Sequence, residues 1–544
     1  MAVENLITEH IDIWTSSIQN KSSAGRGSSR KLDLYGIKKL RELILELAVR
    51  GKLVPQDPSD EPVSVLLERI AAEKAKLVKE KKIKKLKALP IIEECEKPFS
   101  LPQGWEWVRL GEVGNIFNGN SVSARVKEQK YMSSEGLPFI ATKDVGYGFD
   151  GFDYLNGVHI PIGEPKFKIA KKNAVLICAE GGSAGKKCGI AEHDICFGNK
   201  LFANELYGNI HPKFILSNYL TPYFYAQFSK SMTGIIGGIA ASKFVELLVP
   251  LPSIHEQHRI VAKVDELMAL CDQLEQQTEV SIEAHQVLVT TLLDTLTNSA
   301  DADELMQNWA RISEHFDTLF TTEESIDQLK QTILQLAVMG KLIHFGADPM
   351  ETYVMDVISF GPRNGLSPKE VQVDTGIKVL KLGATSYGSL NLDESKSVDV
   401  DIEKTSHLWL KKGDILIQRG NSANYVGCNC LVKEDVCDVI YPDLMMKIRP
   451  SKTVSSEFLS TWLSSPMARE FMWTRMTGTS GTMPKISKKV VEAIPIIVPS
   501  RKIQDIIVSK VEELFSICDL LKQLISETQQ TQSQLTDTIV EQAI

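Results

Sequence analysis

Apolar residues between positions 37 and 53 fall at Leu40, Leu43, Ile44, Leu47 and Ala48, the spacing that turns one stripe of an α-helix inward. The stripe returns 289 positions later: IKKLRELILELAVRGKL at 37–53 matches IDQLKQTILQLAVMGKL at 326–342 at ten of seventeen positions. Each copy runs into a glycine, Gly51 or Gly340, suited to ending a helix. A longer pattern starts after Pro499 and alternates steps of four and three through Ile507, Val511, Leu514, Cys518, Leu521, Ile525, Thr528, Gln532, Leu535 and Ile539, a coiled-coil seam. Its echo after Pro252 runs Ile260, Val264, Leu267, Cys271 and Leu274, turns polar at Thr278, Ser281 and His285, and resumes at Leu288 and Leu292. QHRIVAKVDELMALCDQL at 257–274 and QDIIVSKVEELFSICDLL at 504–521 share ten of eighteen positions. The first predicts a helix over 255–297, about 65 Å long at 1.5 Å per residue.

The two patterns alternate along the chain and divide it into helical regions at 1–97, 254–343 and 501–544, with modules at 98–253 and 344–500. The modules are rich in short β-type runs broken by Gly, Asn and Asp, which predicts α/β or α+β domains. Neither long helix buries its stripe alone, so the two are expected to pack as an antiparallel pair between the modules. The last helix lacks a following short one, and its partner stands at the N-terminus. Placing 502–544 beside 37–53 predicts a cyclic arrangement with a pseudo-two-fold axis. The modules echo each other faintly: KKNAVLICAEGGSAGKKCGI at 171–190 against KKGDILIQRGNSANYVGCN at 411–429, and a Thr-Gly dipeptide near each end, at Thr233 and Thr477.

Composition changes the picture little. The 544 residues are 43% hydrophobic, enough for several domains, and no apolar run is long enough to span a bilayer. Nine cysteines without a paired framework, and an N-terminus without a basic flank, apolar core and cleavage site, predict a cytoplasmic protein. A net charge of −8 disfavours nucleic acid as a partner only if charge is spread evenly, and a basic face can sit on an acidic protein. After Asp60 and Pro62, which are expected to open a further helix, come eight lysines between Lys74 and Lys87. They form a solvated helix face, or else a strip that tracks phosphates or meets an acidic subunit.

Candidate chemistry lies in glycine-containing loops where Arg, Lys, Asn, Gln, Ser and Thr gather, the side chains that pair with base edges and phosphates. In the first module these are Asn118, Asn120, Ser121, Arg125, Lys127, Thr142, Lys143, Ser183, Lys186 and Lys187. In the second they are Arg363, Asn364, Thr385, Ser386, Gln418, Arg419, Asn421, Ser422, Asn424, Tyr425 and Lys485. Catalytic and metal motifs fail on inspection. EGGSAGKK has Glu180 and Lys187 where a phosphate loop needs Gly and Ser or Thr, and Arg259 stands where a zinc-protease helix needs its second His. Cys428, Cys430 and Cys437 lack zinc-knuckle spacing. Neither a dinucleotide fingerprint nor the Asn/Asp-Pro-Pro-aromatic motif of amino-methyltransferases is found, so no catalytic residue, metal or cofactor is expected in this chain.

ILELAVRGKLVPQDPSDEP (44–62), LPQGWEWVRLGEV (101–113), PLPSIHEQHRIVAKVDELMALCD (250–272) and the repetition of two of these blocks around unlike modules resemble the specificity subunits of type I restriction-modification enzymes. The second module departs from the pattern: it lacks the LPQGWEW opening, and Ile503-Gln504 replaces Glu256-Gln257. The resemblance implies two target recognition domains that read the halves of a bipartite double-stranded DNA site, in a phage-defence complex that also methylates DNA. It further implies two methyltransferase subunits on the scaffold helices and two restriction/translocase subunits in the full complex, with S-adenosylmethionine, ATP and Mg on those partners. Two readings of other classes stand beside it: a coiled-coil scaffold whose modules bind protein without DNA readout, and a reader fused to enzyme activity.

Overall fold

The computed structural model describes residues 3–20, 32–84, 88–132, 135–234, 237–386, 388–403, 406–478 and 483–544. The chain divides into two compact units, one built from Met1–Gln19, Leu32–Thr278 and Thr531–Ile544, the other chiefly from Glu279–Gln530. Each unit therefore unites one module with pieces of helical scaffold.

In the first unit the scaffold helix α1 (Tyr35–Val49) buries Leu40, Leu43, Ile44, Leu47 and Ala48, the predicted stripe. It ends in a Schellman turn: Gly51 has φ +68° and the Lys52 N–H donates to the Leu47 carbonyl at 2.9 Å. A second helix, α2 (Val63–Lys79), is the one expected after Pro62, but Asp60 does not cap it. Asp60 instead accepts from Arg259 at 2.7 Å and Ser253 at 3.0 Å, tying this segment to the long scaffold helix. Of the lysine run, Lys85 and Lys87 lie outside the described residues, and Lys74 donates to the Gly111 carbonyl at 2.9 Å.

The first module begins with strand β1 (Glu106–Arg109), followed by β2 (Gly114–Asn118), β3 (Leu137–Ile140), β4 (His159–Ile160), β5 (Ile169–Ala170), β6 (Val175–Cys178), β7 (Cys188–Ile190), β8 (Ile195–Phe197) and β9 (Leu201–Leu206). Helices α3 (Pro212–Tyr219) and α4 (Pro222–Lys230) and a short helical turn at Ala241–Phe244 follow before β10 (Leu248–Leu251) returns to pair with β1. The central sheet has the order β2-β9-β6-β7, and a second sheet runs β4-β3-β8-β5 with β3 and β8 parallel. The chain then enters α5 (Ile254–Asn298).

The second unit repeats the plan. Its scaffold helix α6 (Glu323–Val338) ends at Gly340, φ +70°, with the same N–H to carbonyl closure, Lys341 to Leu336 at 3.0 Å. Its strands are β11 (Met350–Tyr353), β12 (Ile358–Asn364), β13 (Lys378–Leu380), β14 (Ser395–Ser397), β15 (Ile415–Gln418), β16 (Asn429–Leu431), β17 (Val439–Ile440), β18 (Met445–Pro450) and β19 (Pro495–Val498). The order β12-β18-β15-β16 copies the central sheet of the first module, β14-β13-β17 copies three of the four strands of its second sheet, and β11 pairs with β19. Helices α7 (Ser456–Ser464) and α8 (Pro466–Trp473) replace α3 and α4, and α9 (Arg501–Ala543) closes the chain.

Within each unit the core takes the start of one long helix and the end of the other. Ile260, Val264, Leu267 and Cys271 of α5 share the first core with Ile539 of α9; Val289, Leu293 and Leu296 share the second with Ile507, Val511 and Cys518. The last turns of α9 also reach α1, as the cyclic arrangement predicts: Tyr35 donates to Asp537 at 2.6 Å and Lys52 to the Ile544 carbonyl. Lys341, the counterpart of Lys52, donates to the Thr297 and Ser299 carbonyls at the end of α5, at 2.6 and 2.8 Å. The seam shifts where the helices change neighbours. Leu288 is 50% exposed and Leu535 44%, while the adjacent Val289 and Thr536 are buried. An ideal helix drifts about 20° per heptad from a strict 3.5-residue repeat, so a projected ladder can slip by one residue where the covering neighbour changes, although Ile539, farther along, is buried as projected.

Buried polar side chains join module to scaffold in the same way twice. The Gln257 side chain accepts from the His211 N–H, at the start of α3, at 2.9 Å and donates to the Pro252 carbonyl at 3.0 Å. Gln504 accepts from the Ser455 N–H, at the start of α7, at 2.9 Å and donates to the Pro499 carbonyl at 2.9 Å. Glu46 of α1 accepts from the Tyr223 N–H, and its counterpart Gln335 of α6 from the Met467 N–H, at 3.1 and 3.0 Å. These contacts satisfy free N–H groups at helix N-termini that would otherwise be left buried.

Candidate nucleic-acid interface

At one end of each central sheet four stretches of chain meet. In the first module these are 118–120 after β2, 180–187 after β6, 198–200 between β8 and β9, and the Thr233 hairpin. Asn120 bridges Gly198, and Gly238 bridges both Glu180 and Thr233. Together they line a cavity of 530 Å³ whose polar walls include Asn118, Glu180, Asn199, Lys200 and Thr233. In the second module Leu366 donates to the Tyr441 carbonyl as Asn120 does to that of Phe197, both at 2.9 Å, and Lys485 bridges both Gly420 and Thr477. Asn118 and Asn364 occupy equivalent ends of β2 and β12, paired with Phe202 and Met446.

The crossing depends on glycine. A Cβ on Gly119 would stand 2.0 Å from the Phe197 carbonyl oxygen, and one on Gly365 1.9 Å from that of Tyr441. No side chain fits at that spacing. The Asn-Gly pair in each module therefore permits a strand end to pass over the neighbouring carbonyl while presenting an amide beside it.

The expected site residues do not all share one surface. Asn118 is exposed and accepts from Lys168 Nζ at 3.2 Å; Asn120 accepts from the Lys168 N–H at 2.8 Å. Lys187 donates to the Lys143 carbonyl at 3.4 Å and lies over Tyr147, which brings Thr142 and Lys143 beside the 180–187 loop. Ser183 turns that loop by accepting, through its carbonyl, from Lys186 and Lys187, and Lys186 stands over Tyr225. Arg125 and Lys127 lie on a separate helical stretch, with Ser121 in the segment before it, over a small core of Tyr131, Phe139 and Phe167. Lys127 sits over Phe139, and burial holds its ammonium below the usual lysine range against the pull of Asp144.

In the second module Arg363, Ser422 and Asn424 are exposed, and Arg419, Asn421, Tyr425 and Lys485 are half-buried around the same loop cluster. Asn364 is half-buried, with its Oδ1 enclosed and without a partner. Two expectations of direct contact are corrected by burial. Gln418 and Thr385 are both 0% exposed, and the Gln418 amide donates inward to Leu382 O, Thr385 Oγ1 and Ser386 Oγ at 3.0–3.1 Å. A polar residue at the end of an apolar strand is equally suited to pointing out or to stitching loops from beneath, and one-dimensional pattern does not separate the two. Lys168, Asn199 and Lys200 also lie at this loop cluster and were not among the expected residues. Asn199 and Lys200 carried a signal, since Gly-Asn-Lys follows a fully apolar strand; Lys168 carried none.

A buried charge cluster supports the central sheet of the second module. Lys447 in β18 is buried with its ammonium 2.9 Å from Asp414, which Arg449 also reaches at 2.6 Å. Burial lowers the Lys447 pKa and the Asp414 contact opposes that. The first module has Ala203 and Ala174 at the corresponding sheet positions.

Among the described residues no group of His, Cys, Asp or Glu is placed to hold a metal ion, and no helix is long and apolar enough to cross a membrane. Two copies of one mixed α/β module, each with a polar loop cluster at one sheet end and each clamped to a helical scaffold, define a double-headed recognition protein. The chain belongs to the type I restriction modification DNA specificity domain family, whose model matches residues 102–284 and 354–530. It is 37% identical to the type I restriction enzyme EcoEI specificity subunit and 38% to the EcoAI specificity subunit, both of Escherichia coli, with full coverage of both chains. Among solved structures, a chain from work on complex assembly and conformational transition of the type I R-M system superposes with a TM-score of 0.51 at 17% identity, over 82% of this chain and 99% of that one. The fold is that of a specificity subunit, a non-catalytic component, and neither the protein-only scaffold nor the fused enzyme is favoured.

Proposed function

We propose that this chain selects the DNA target of a type I restriction-modification complex, with the modules at 98–253 and 344–500 each reading one half of a bipartite site. The observation that carries this is one backbone used twice with the loop chemistry changed. Asn118 and Asn364 recur at the same strand ends, while Gly181 and Ala184 in one loop face Asn421 and Asn424 in the other. Lys143, Lys168, Lys186, Lys187 and Lys200 in the first module, and Arg363, Arg419 and Lys485 in the second, supply positive charge for phosphate oxygens, which positions a duplex without reading it. Asn118, Asn120, Asn421, Ser422 and Asn424 are the proposed base readers, the asparagine carboxamides being suited to adenine N6 and N7, while Asn364, with its Oδ1 enclosed, supports the strand end.

The scaffold holds partner subunits in this reading, two methyltransferases and through them two restriction/translocase subunits. S-adenosylmethionine, ATP and Mg act on the partners, in the cytoplasm. Leu270 and Ile517, one residue before the buried cysteines Cys271 and Cys518, stay exposed at equivalent places on α5 and α9, which suits two copies of one partner. Co-expression with a methyltransferase subunit in a methylation-free host, followed by mapping of N6-methyladenine by long-read sequencing, tests the proposal. One split motif with a constant gap is expected; a continuous motif, or none, would overturn it.

A further inference from the structure

We infer that Gln418 is a positioning residue that sets the register between two reading loops of the second module, an inference that rests on that module being a DNA reader. Gln418 is the last residue of β15 and pairs with Met445 across the sheet. Its side chain is used at both ends. Nε2 faces Leu382 O, Thr385 Oγ1 and Ser386 Oγ in the turn after β13, and Oε1 accepts from Asn421 Nδ2 at 2.7 Å. An amide has two N–H groups, so the three contacts on the Nε2 side are shared, and the turn is held by a fork rather than by a single bond. Asn421 passes the constraint on through its Oδ1, which accepts from the Ser422 N–H at 2.7 Å.

The backbone of Gln418 closes the same loop from below. Its N–H donates to the Cys428 carbonyl and its carbonyl accepts from the Gly427 N–H, both at 2.8 Å. Arg469 of α8 braces the far side through the Asn424 carbonyl and Cys428 Sγ, each at 2.8 Å. The loop is therefore pinned at its base and its far side, and its tip residue Asn421 is aimed by Gln418. A buried residue with only a packing role would be apolar. The first module shows this case: Cys178 occupies the matching position opposite Leu201, and Gly181 stands where Asn421 would be. Coupling of turn to loop through a buried side chain at the strand end is thus made by Gln418 and not by Cys178, since in the first module Lys187 meets the Lys143 carbonyl from the loop itself, and its removal should alter which base edges the second module accepts.

The test uses the complex of the full chain with its methyltransferase subunit, read by the methylated motif. Asn421→Ala and Ser386→Ala first locate the positions of the second half-site that each loop discriminates. Gln418→Met keeps the volume and removes all the polar contacts. It is expected to relax the positions found with Asn421→Ala and with Ser386→Ala, by about tenfold or more in cognate over single-mismatch methylation, with the first half-site and the gap unchanged. An unaltered motif, or uniform weakening at every position, would sink the inference, because a packing defect lowers occupancy without changing preference. If Gln418→Met does not fold, the Asn421→Ala/Ser386→Ala pair decides: coupled effects support the link, and independent effects overturn it. A wild-type complex with no split motif would instead remove the reading of the module itself.

Discussion

Gln257 and Gln504 sit at the same place in the two repeats and make the same bonds, each holding the first helix of a module to the start of a long scaffold helix. Replacing either with Ala leaves a buried N–H without an acceptor, at a cost of about 1–3 kcal/mol. Urea unfolding should show the loss, and it should appear in the unit that carries the substitution. Around this joint the units differ: α3 is capped by His211, which contacts His258, whereas α7 is capped by Ser455. Burial, then the neighbouring His258, lowers the His211 pKa, against the pull of Asp265. Its native state favours neutral imidazole, so the contribution is present above the unfolded value of roughly 6.5 and is lost as pH falls below that and through the lowered native value. His211→Ser is expected to flatten the fall in stability between about pH 7 and 5, measured by thermal unfolding across that range.

Among single elements, β18 has the least expected content. A lysine in the middle of a central strand reads as an exposed position, yet Lys447 is buried against Asp414, with its ammonium near the Tyr441 and Phe360 rings. Removing the lysine leaves Asp414 with Arg449 as its remaining cationic partner, so Lys447→Met should cost less than the roughly 3–5 kcal/mol of a fully stranded buried charge. Lys447→Ala with Asp414→Ala installs the residues of the first module, Ala203 and Ala174. The double variant is expected to lose clearly less than the sum of the two single losses in denaturant titration. At the loop cluster, Gly119→Ala or Gly365→Ala would drive a methyl group into a carbonyl oxygen. Either change should destabilise its own module and abolish recognition of one half-site in methylation mapping, with the other half-site intact.

At the scale of the molecule, the units share a plan but not their loops, so each reader should be exchangeable. Replacing residues 98–253 with the module of a relative should change one half of the methylated motif and leave the other half and the gap alone. Inserting whole helical turns into both α5 and α9 should change the gap and leave both halves alone; altered halves would defeat the idea that the helices set spacing.

Sequence alone determined the repeated helices, their glycine stops and the two modules, because helix periodicity and repetition are properties of a line of residues, and the family was legible in blocks such as LPQGWEWVRLGEV that resemble its members. The tertiary structure decided which polar residues face outward. Asn118 and Asn421 are legible in either setting, but the burial of Gln418, Thr385 and Lys447 depends on strands and turns brought together from distant positions. It also decided the seam at Val289 and Thr536, where the neighbouring helix, and not the repeat itself, determines which face is covered. Burial belongs to the assembled surface, and a hydrogen bond such as that from Gln418 to Ser386 exists only once residues 32 positions apart have been folded against each other.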